Sequence, residues 1–121
     1  MKQNLTVEQS ARLIELGVDK KRASKCSSYM KTSASCRGII QVPQYNPIFT
    51  LSDVLEMLPK EMEVDFQGNV IALHLVIVAS ENSWEVSYSD NNTLQTAPEL
   101  IDALFNLLVW VLTNYKDQVN K

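Results

Sequence analysis

The fold is decided by TAPELIDALFNLLVWVLTNY, residues 96–115. Thr96 and Glu99 have the spacing of a capping box, and Pro98 between them needs no hydrogen-bond partner for its backbone nitrogen in a first helical turn. Residues 100–112 are almost wholly apolar, so they predict a long C-terminal helix that is buried over most of its surface. The unbroken apolar run within it, residues 107–112, is far too short to cross a bilayer, which takes ~20 apolar residues. It therefore predicts a core helix.

This helix carries one narrow polar stripe. At about 100° per residue, five polar side chains fall together, namely Glu99, Asp102, Asn106, Thr113 and Asp117. Val109 and Trp110 flank the stripe where a further polar residue is expected. An apolar strip beside Asn106 and Thr113 is typical of a surface that another copy covers, so a homodimer through this helix is one hypothesis. The alternative is that the first helix, or strands near Tyr29 and Ile40, cover the strip within the chain.

Length and composition indicate one folded domain, residues 1–121. The 121 residues are 45% hydrophobic and 21% charged, which is typical of a globular protein and argues against disorder. The first four residues run directly into a helix cap without a basic and apolar signal segment. A cytoplasmic location is therefore expected, with no membrane partner.

The N-terminal third begins with a helix at residues 5–17. Thr6 with Gln9 forms a capping box, and Gly17 supplies the left-handed stop. A short helical turn is expected at residues 19–23. The pair loosely resembles the opening of a helix-turn-helix, but the second element is too short, and packing is the preferred interpretation.

Two short strands follow, at residues 27–32 and 38–42, with a polar hairpin loop at 32–35. Pro43 and Pro47 predict an extended connection after the second strand. A short helix at residues 52–58 then begins at a cap on Thr50 or Ser52. Pro59 ends it.

The clearest strand patterns lie in the second half. Residues 62–66 alternate apolar and polar, 67–69 form a turn, and 70–78 are so apolar that both faces of this strand are expected to be covered. Residues 84–89 alternate again, with Trp84, Val86 and Tyr88 on the buried face. The resulting fold class is α+β. A three-stranded antiparallel meander plus an N-terminal hairpin would pack against the long C-terminal helix and an N-terminal helix.

Charge divides the chain. Residues 1–45 hold eight basic and three acidic side chains, and residues 46–121 hold three and eleven. Six basic side chains lie close together in the sequence, namely Lys20, Lys21, Arg22, Lys25, Lys31 and Arg37. Such a patch is able to contact nucleic-acid phosphates. This is the second hypothesis, ranked lower because no recognition helix follows the patch.

Chemistry-bearing residues are sparse. His74 is the single histidine, and its place in an apolar strand favours a hydrogen-bonded sheet residue over a general base. Glu61, Glu63 and Asp65 alternate with apolar residues and are expected on the solvent face of a strand. No phosphate loop, nucleophile elbow or metal-binding helix motif occurs. We therefore predict no catalytic residues, no metal and no cofactor.

Cys26 and Cys36 are the only cysteines. Two thiols with one distant histidine are too few for a tetrahedral zinc site. In a reducing cytosol both would stay as thiols, and a Cys26–Cys36 disulfide across the hairpin would need an oxidising setting.

Three groups of residues occur in order along the chain: 5–9 with 16–19, 49–55 with 58–60, and 97–104. Together they resemble segments of small proteins encoded by phages, prophages and mobile elements of gut Bacteroidetes. The resemblance implies a cytosolic product of a mobile element. It brings no assigned activity, so no functional residue is carried over. The sequence thus predicts a non-enzymatic protein that acts through protein contacts, either with a second copy of itself through the C-terminal helix or with another, unidentified protein partner.

Overall fold

The computed structural model describes residues 1–35, 38–89 and 93–119. Its helices are α1 (Val7–Glu15), α2 (Leu51–Met57) and α3 (Leu100–Asn114). Its strands are β1 (Lys25–Ser35), β2 (Gly38–Ile48), β3 (Glu61–Phe66), β4 (Asn69–His74), β5 (Val76–Ala79), β6 (Trp84–Ser87) and β7 (Gln95–Ala97). Short 3₁₀ turns lie at Lys20–Arg22 and Lys116–Gln118.

The strands form antiparallel sheets in three groups: β1–β2, β3–β4 and β5–β6–β7. The long helix α3 packs on β6 and β7 and against α2. The α+β class, with a long C-terminal helix packed on antiparallel sheet, is confirmed.

Burial of α3 follows from its sequence. Eight of its 15 residues are buried, and they are Leu100, Ile101, Ala103, Leu104, Leu107, Leu108, Val111 and Leu112. Across from them the sheet contributes Val86 and Tyr88, both fully buried as their alternation predicted, with Trp84 half-buried beside them. The Tyr88 hydroxyl donates to the Pro59 carbonyl at 2.7 Å. Burial raises the pKa of this phenol well above its usual range.

The predicted cap of α3 is wrong. Thr96 lies in β7, opposite Glu85, because its backbone pairs in the sheet. The helix begins after Glu99, which makes no side-chain capping bond. The Glu99 carboxylate instead accepts from the backbone N–H of Lys2 at 3.0 Å. One turn later Asp102 accepts from the Lys2 ammonium at 2.7 Å. The start of the chain therefore fixes the start of the helix.

The predicted local features of α1 are confirmed. Thr6 and Gln9 form the capping box, with bonds of 3.1 and 2.9 Å. Gly17 has φ +104°, the left-handed conformation that a glycine adopts without a steric penalty. A Cβ at this position would also press on the Lys116 side chain. The predicted turn after α1 is the 3₁₀ segment, and Asp19 caps it through the Lys21 amide at 2.9 Å.

Thr50 is the cap of α2, one of the two predicted candidates, and Asp53 completes its capping box. The buried Asp53 carboxylate accepts from the Thr50 amide at 2.9 Å, the Ser24 amide at 2.8 Å and the Ser24 hydroxyl. Burial opposes ionisation of Asp53. The hydrogen bonds from Ser24 and Thr50 outweigh it, so the pKa lies below its ordinary value.

The N-terminal hairpin is longer than predicted. β1 and β2 pair over eleven residues each, from Lys25 opposite Ile48 to Ser35 opposite Gly38. Pro43 and Pro47, predicted to lie in an extended connection, belong to β2. A two-stranded ribbon has a free edge on each strand, so a proline there removes no ladder hydrogen bond if its nitrogen faces outward. We call β1 and β2 together the arm.

The predicted strand 70–78 is divided, and the expectation that both its faces are covered is wrong. β4 pairs with β3 through a two-residue turn at Gln67 and Gly68, both with positive φ. β5 pairs with β6 instead. The change of partner falls at Leu75, whose amide donates to the Lys60 carbonyl at 2.9 Å. Most apolar side chains of both strands are exposed.

The Leu108→Asp variant tests the buried helix. Leu108 is fully buried, so a carboxylate there has no partner, and we expect loss of the folded state. The control is Asn106→Asp, which adds the same charge to an exposed position of α3. Circular dichroism and urea denaturation provide the measurement. A folded Leu108→Asp protein with near-normal stability would contradict the burial of α3.

The segment 20–24, which leads into the arm, is called its root. The Asp53→Asn variant tests the hydrogen bonds between α2 and Ser24 in this root. We expect a loss of ~1–3 kcal/mol in unfolding free energy at neutral pH, because the amide and hydroxyl donors of Ser24 and the amide of Thr50 lose a charged acceptor. A lowered folded-state pKa means that this contribution is present above the unfolded-state pKa of ~4 and is lost as pH falls through the folded value. The difference from wild type should therefore shrink on acidification. Asp117→Asn, at an exposed carboxylate, is the control. A gap that does not depend on pH would refute the assignment.

Candidate functional site

The four residues proposed from the sequence as a protein interface lie together. Asn106, Val109, Trp110 and Thr113 line a groove of about 420 Å³ along the outer side of α3. Val109 and Trp110 are half-buried, whereas Asn106 and Thr113 are exposed. We call this surface the α3 groove. Its wall includes Arg12, so α1 borders it, as one of the intramolecular alternatives expected.

Contacts within the chain already cover part of the α3 groove, so a partner bound there would bury less new apolar surface. The Trp110 ring lies 5.5 Å from the ring of Tyr115 in a tilted arrangement. The Thr113 hydroxyl donates to the Val109 carbonyl at 2.7 Å, and the Asn114 amide donates to the Trp110 carbonyl at 2.9 Å. The Trp110 ring of the α3 groove is thus already partly covered by Tyr115.

A second surface has much more exposed apolar area. It is the sequence NVIALHLVIVA, residues 69–79, which holds no carboxylate, lysine or arginine. Five of its large apolar side chains are exposed, and they are Val70, Ile71, Val76, Ile77 and Val78. We call this segment the apolar ribbon. The sequence analysis assigned these residues to the interior, because a buried strand and an apolar surface strand have the same composition.

Two edge strands, β3 and β5, differ in whether their outer backbone edge is covered. At β3, the Gln118 side chain accepts from the Glu63 amide at 2.8 Å and donates to the Glu63 carbonyl at 2.7 Å. It occupies the backbone edge as a neighbouring strand would. β5 lies at the end of its sheet, and among the described residues β6 is its one strand partner. The outer edge of β5 is therefore open.

The acidic side chains Glu61, Glu63 and Asp65 are exposed on β3, as their alternation predicted. Glu61 and Glu63 also line an open cavity of about 690 Å³ between α2 and the 3₁₀ turn at the C-terminal end. No histidine lies among the residues that line it. It has the form of a solvated cleft with carboxylates at its rim.

The basic side chains follow the arm and its root. Lys20, Lys21, Lys25 and Lys31 are exposed. Arg22 is half-buried, and Arg37 lies outside the described residues. All six occur in residues 20–52, which contain no aspartate or glutamate. The five described residues of the proposed nucleic-acid set thus lie on the arm and at its root. Tyr29 and Ile40, the other intramolecular alternative for covering α3, are exposed on the same arm.

The remaining candidates for chemistry are separate from one another. His74 is exposed, and its backbone exchanges two hydrogen bonds with the Ser89 hydroxyl, at 3.1 and 2.9 Å. Cys26 carries an exposed free thiol, and Pro47 is its partner across the arm. Cys36, and with it the considered disulfide, lies outside the described residues. Within residues 1–35, 38–89 and 93–119, no three His, Cys, Asp or Glu side chains cluster as a metal site would require.

Comparisons with protein-family models, with curated proteins and with solved structures found no match for this chain. In the part of the chain that the structure describes, no helix is long and apolar enough to cross a membrane. The class of protein is defined by its fold, α+β. The main features of its surface are the α3 groove, the apolar ribbon and the basic arm.

Proposed function

We propose that the protein is non-enzymatic and acts through protein–protein contacts, first of all with a second copy of itself. One observation carries the proposal: the apolar ribbon, eleven residues that hold β4 and β5, contains no carboxylate, lysine or arginine and has five large apolar side chains exposed. Val70 alone is 72% exposed. Patches of this kind on soluble proteins mark interaction surfaces. The exposed thiol of Cys26 is compatible with the reducing cytoplasm in which we place the protein.

A second copy is the partner that best fits the geometry. The outer edge of β5 presents unpaired N–H and C=O groups, and an antiparallel copy of the same strand matches them about a two-fold axis. Residues 46–121 carry a charge of −8, from three basic and eleven acidic side chains. Because the apolar ribbon itself has no charge, two copies meet there without direct repulsion.

The expected association is weak and reversible. Full burial of a large apolar side chain contributes ~1.5–3 kcal/mol, so covering Val76 and Val78, which share one face of β5 and are partly exposed, contributes about 2 kcal/mol. Association costs on the order of 4–15 kcal/mol in lost freedom. Backbone pairing along β5 must supply the remainder. We therefore expect a dimer whose population rises clearly with protein concentration.

The α3 groove is the competing surface for the same function. Its Val109 and Trp110 are half-buried, and two of its polar side chains, Thr113 and Asn114, are already bonded to helix carbonyls. Covering it therefore yields less than covering the apolar ribbon. A dimer through α3 remains the second candidate, and variants at the two surfaces separate them.

Sedimentation velocity across a concentration series, at low and high salt, tests this proposal. Val78→Lys adds a charge to the edge strand at a side chain that is 46% exposed and lies opposite Glu85, so the fold should tolerate it. Val109→Lys makes the same change in the α3 groove. Ile39→Lys, on the arm, is the control for a lysine at an exposed apolar site.

We expect a salt-resistant dimer that Val78→Lys abolishes and that the other two variants retain. Loss of the dimer in Val109→Lys alone would transfer the interface to α3 and overturn the apolar ribbon. A dimer that dissociates in high salt would indicate pairing of the basic and acidic halves instead. A monomer at every concentration would refute self-association.

A further inference from the structure

The arm is a long two-stranded element without acidic side chains. Each of its strands has eleven residues, so at ~3.3 Å per residue it extends roughly 36 Å. Residues 20–52, which include the whole arm, hold six basic side chains and no acid. No recognition helix was predicted beside this patch. The structure shows a β-ribbon, an element that some proteins use to bind nucleic acid, in those cases in a groove of duplex DNA.

Strand alternation sorts the side chains of the arm into two faces. Lys25, Tyr29 and Lys31 occupy odd positions of β1 and therefore share one face. Tyr29 is 47% exposed between two exposed lysines. Tyr45 is 65% exposed, but it pairs with Ser28 and lies on the opposite face. One face thus combines an aromatic ring with two cations.

The acidic residues nearest the root make hydrogen bonds or ion pairs, but in the described part of the chain none pairs with a lysine side chain of the arm or its root. Asp19 accepts from the Lys21 amide, Glu15 bonds to Arg12 at 3.4 Å, and Asp53 is buried in the cap of α2. Lys20, Lys21, Lys25 and Lys31 form no ion pair with any described residue. Their positive charge is therefore directed to solvent along the arm and its root.

We propose that the arm binds single-stranded nucleic acid on the face of Lys25, Tyr29 and Lys31. The two lysines, with Lys20 and Lys21 at the root, contact phosphates, and the Tyr29 ring stacks on a base. Single strands fit better than duplexes because a base must be unpaired to stack on an exposed aromatic ring. Binding is independent of sequence, since every base offers an aromatic face. This site is separate from the apolar ribbon, so the proposal of nucleic-acid binding does not depend on self-association.

Fluorescence anisotropy with a labelled oligothymidine and with a duplex of equal length tests the proposal on the full chain. We expect tighter binding to the single strand and a steep loss of affinity with rising salt. Tyr29→Ala should weaken binding about tenfold, the effect of losing one base–aromatic stack. Lys25→Gln with Lys31→Gln should weaken it and reduce the salt dependence. Tyr45→Ala is the matched aromatic control on the opposite face, and Lys60→Gln is the matched control outside the arm.

Circular dichroism and thermal unfolding of each variant separate loss of binding from loss of fold. The proposal is overturned if wild type shows no binding at low salt, if the duplex binds more tightly, or if Tyr45→Ala weakens binding as much as Tyr29→Ala. Retention of affinity in Tyr45→Ala and Lys60→Gln, with loss in Tyr29→Ala, supports it.

Discussion

The burial of α3 is the interaction on which the rest of the structure depends. Seven large buried side chains, at roughly 1.5–3 kcal/mol each, make this helix the largest single contribution to the core. The start of the chain is attached to its first turn through Lys2, Glu99 and Asp102. The β5–β6–β7 sheet packs on one side of α3 through β6 and β7, and α2 packs on another side. The arm and the apolar ribbon lie outside this core, and most of their large apolar side chains are exposed.

The parts of this fold that sequence reasoning predicted are those set by local chemistry. The capping box of Thr6, the cap at Thr50, the left-handed Gly17 and the apolar length of α3 each depend on a few neighbouring residues. Thr96 had the same local pattern as the other two threonines, but its backbone is paired with Glu85 in the sheet. A competing tertiary contact of this kind leaves no trace in the spacing of residues.

The surfaces were predictable to different degrees. The α3 groove followed from helical periodicity, and the structure brings its four predicted residues together. The apolar ribbon was mistaken for interior, because composition cannot distinguish a strand covered by its own chain from one left open. The basic residues were found, but their common element was not, since Pro43 and Pro47 concealed the length of β2. The apolar ribbon and the arm differ in chemistry, since one is uncharged and the other is basic. They are therefore suited to different partners.

Hydrogen–deuterium exchange at low and high protein concentration tests the central claim most directly. The account predicts that amides of α3 are the most protected at both concentrations, because they lie in the core. The outward-facing amides of β5 should exchange quickly in dilute protein and gain protection as a second copy pairs with them. Exchange of β5 that is the same at both concentrations, or an α3 that exchanges faster than the sheet, would contradict the account.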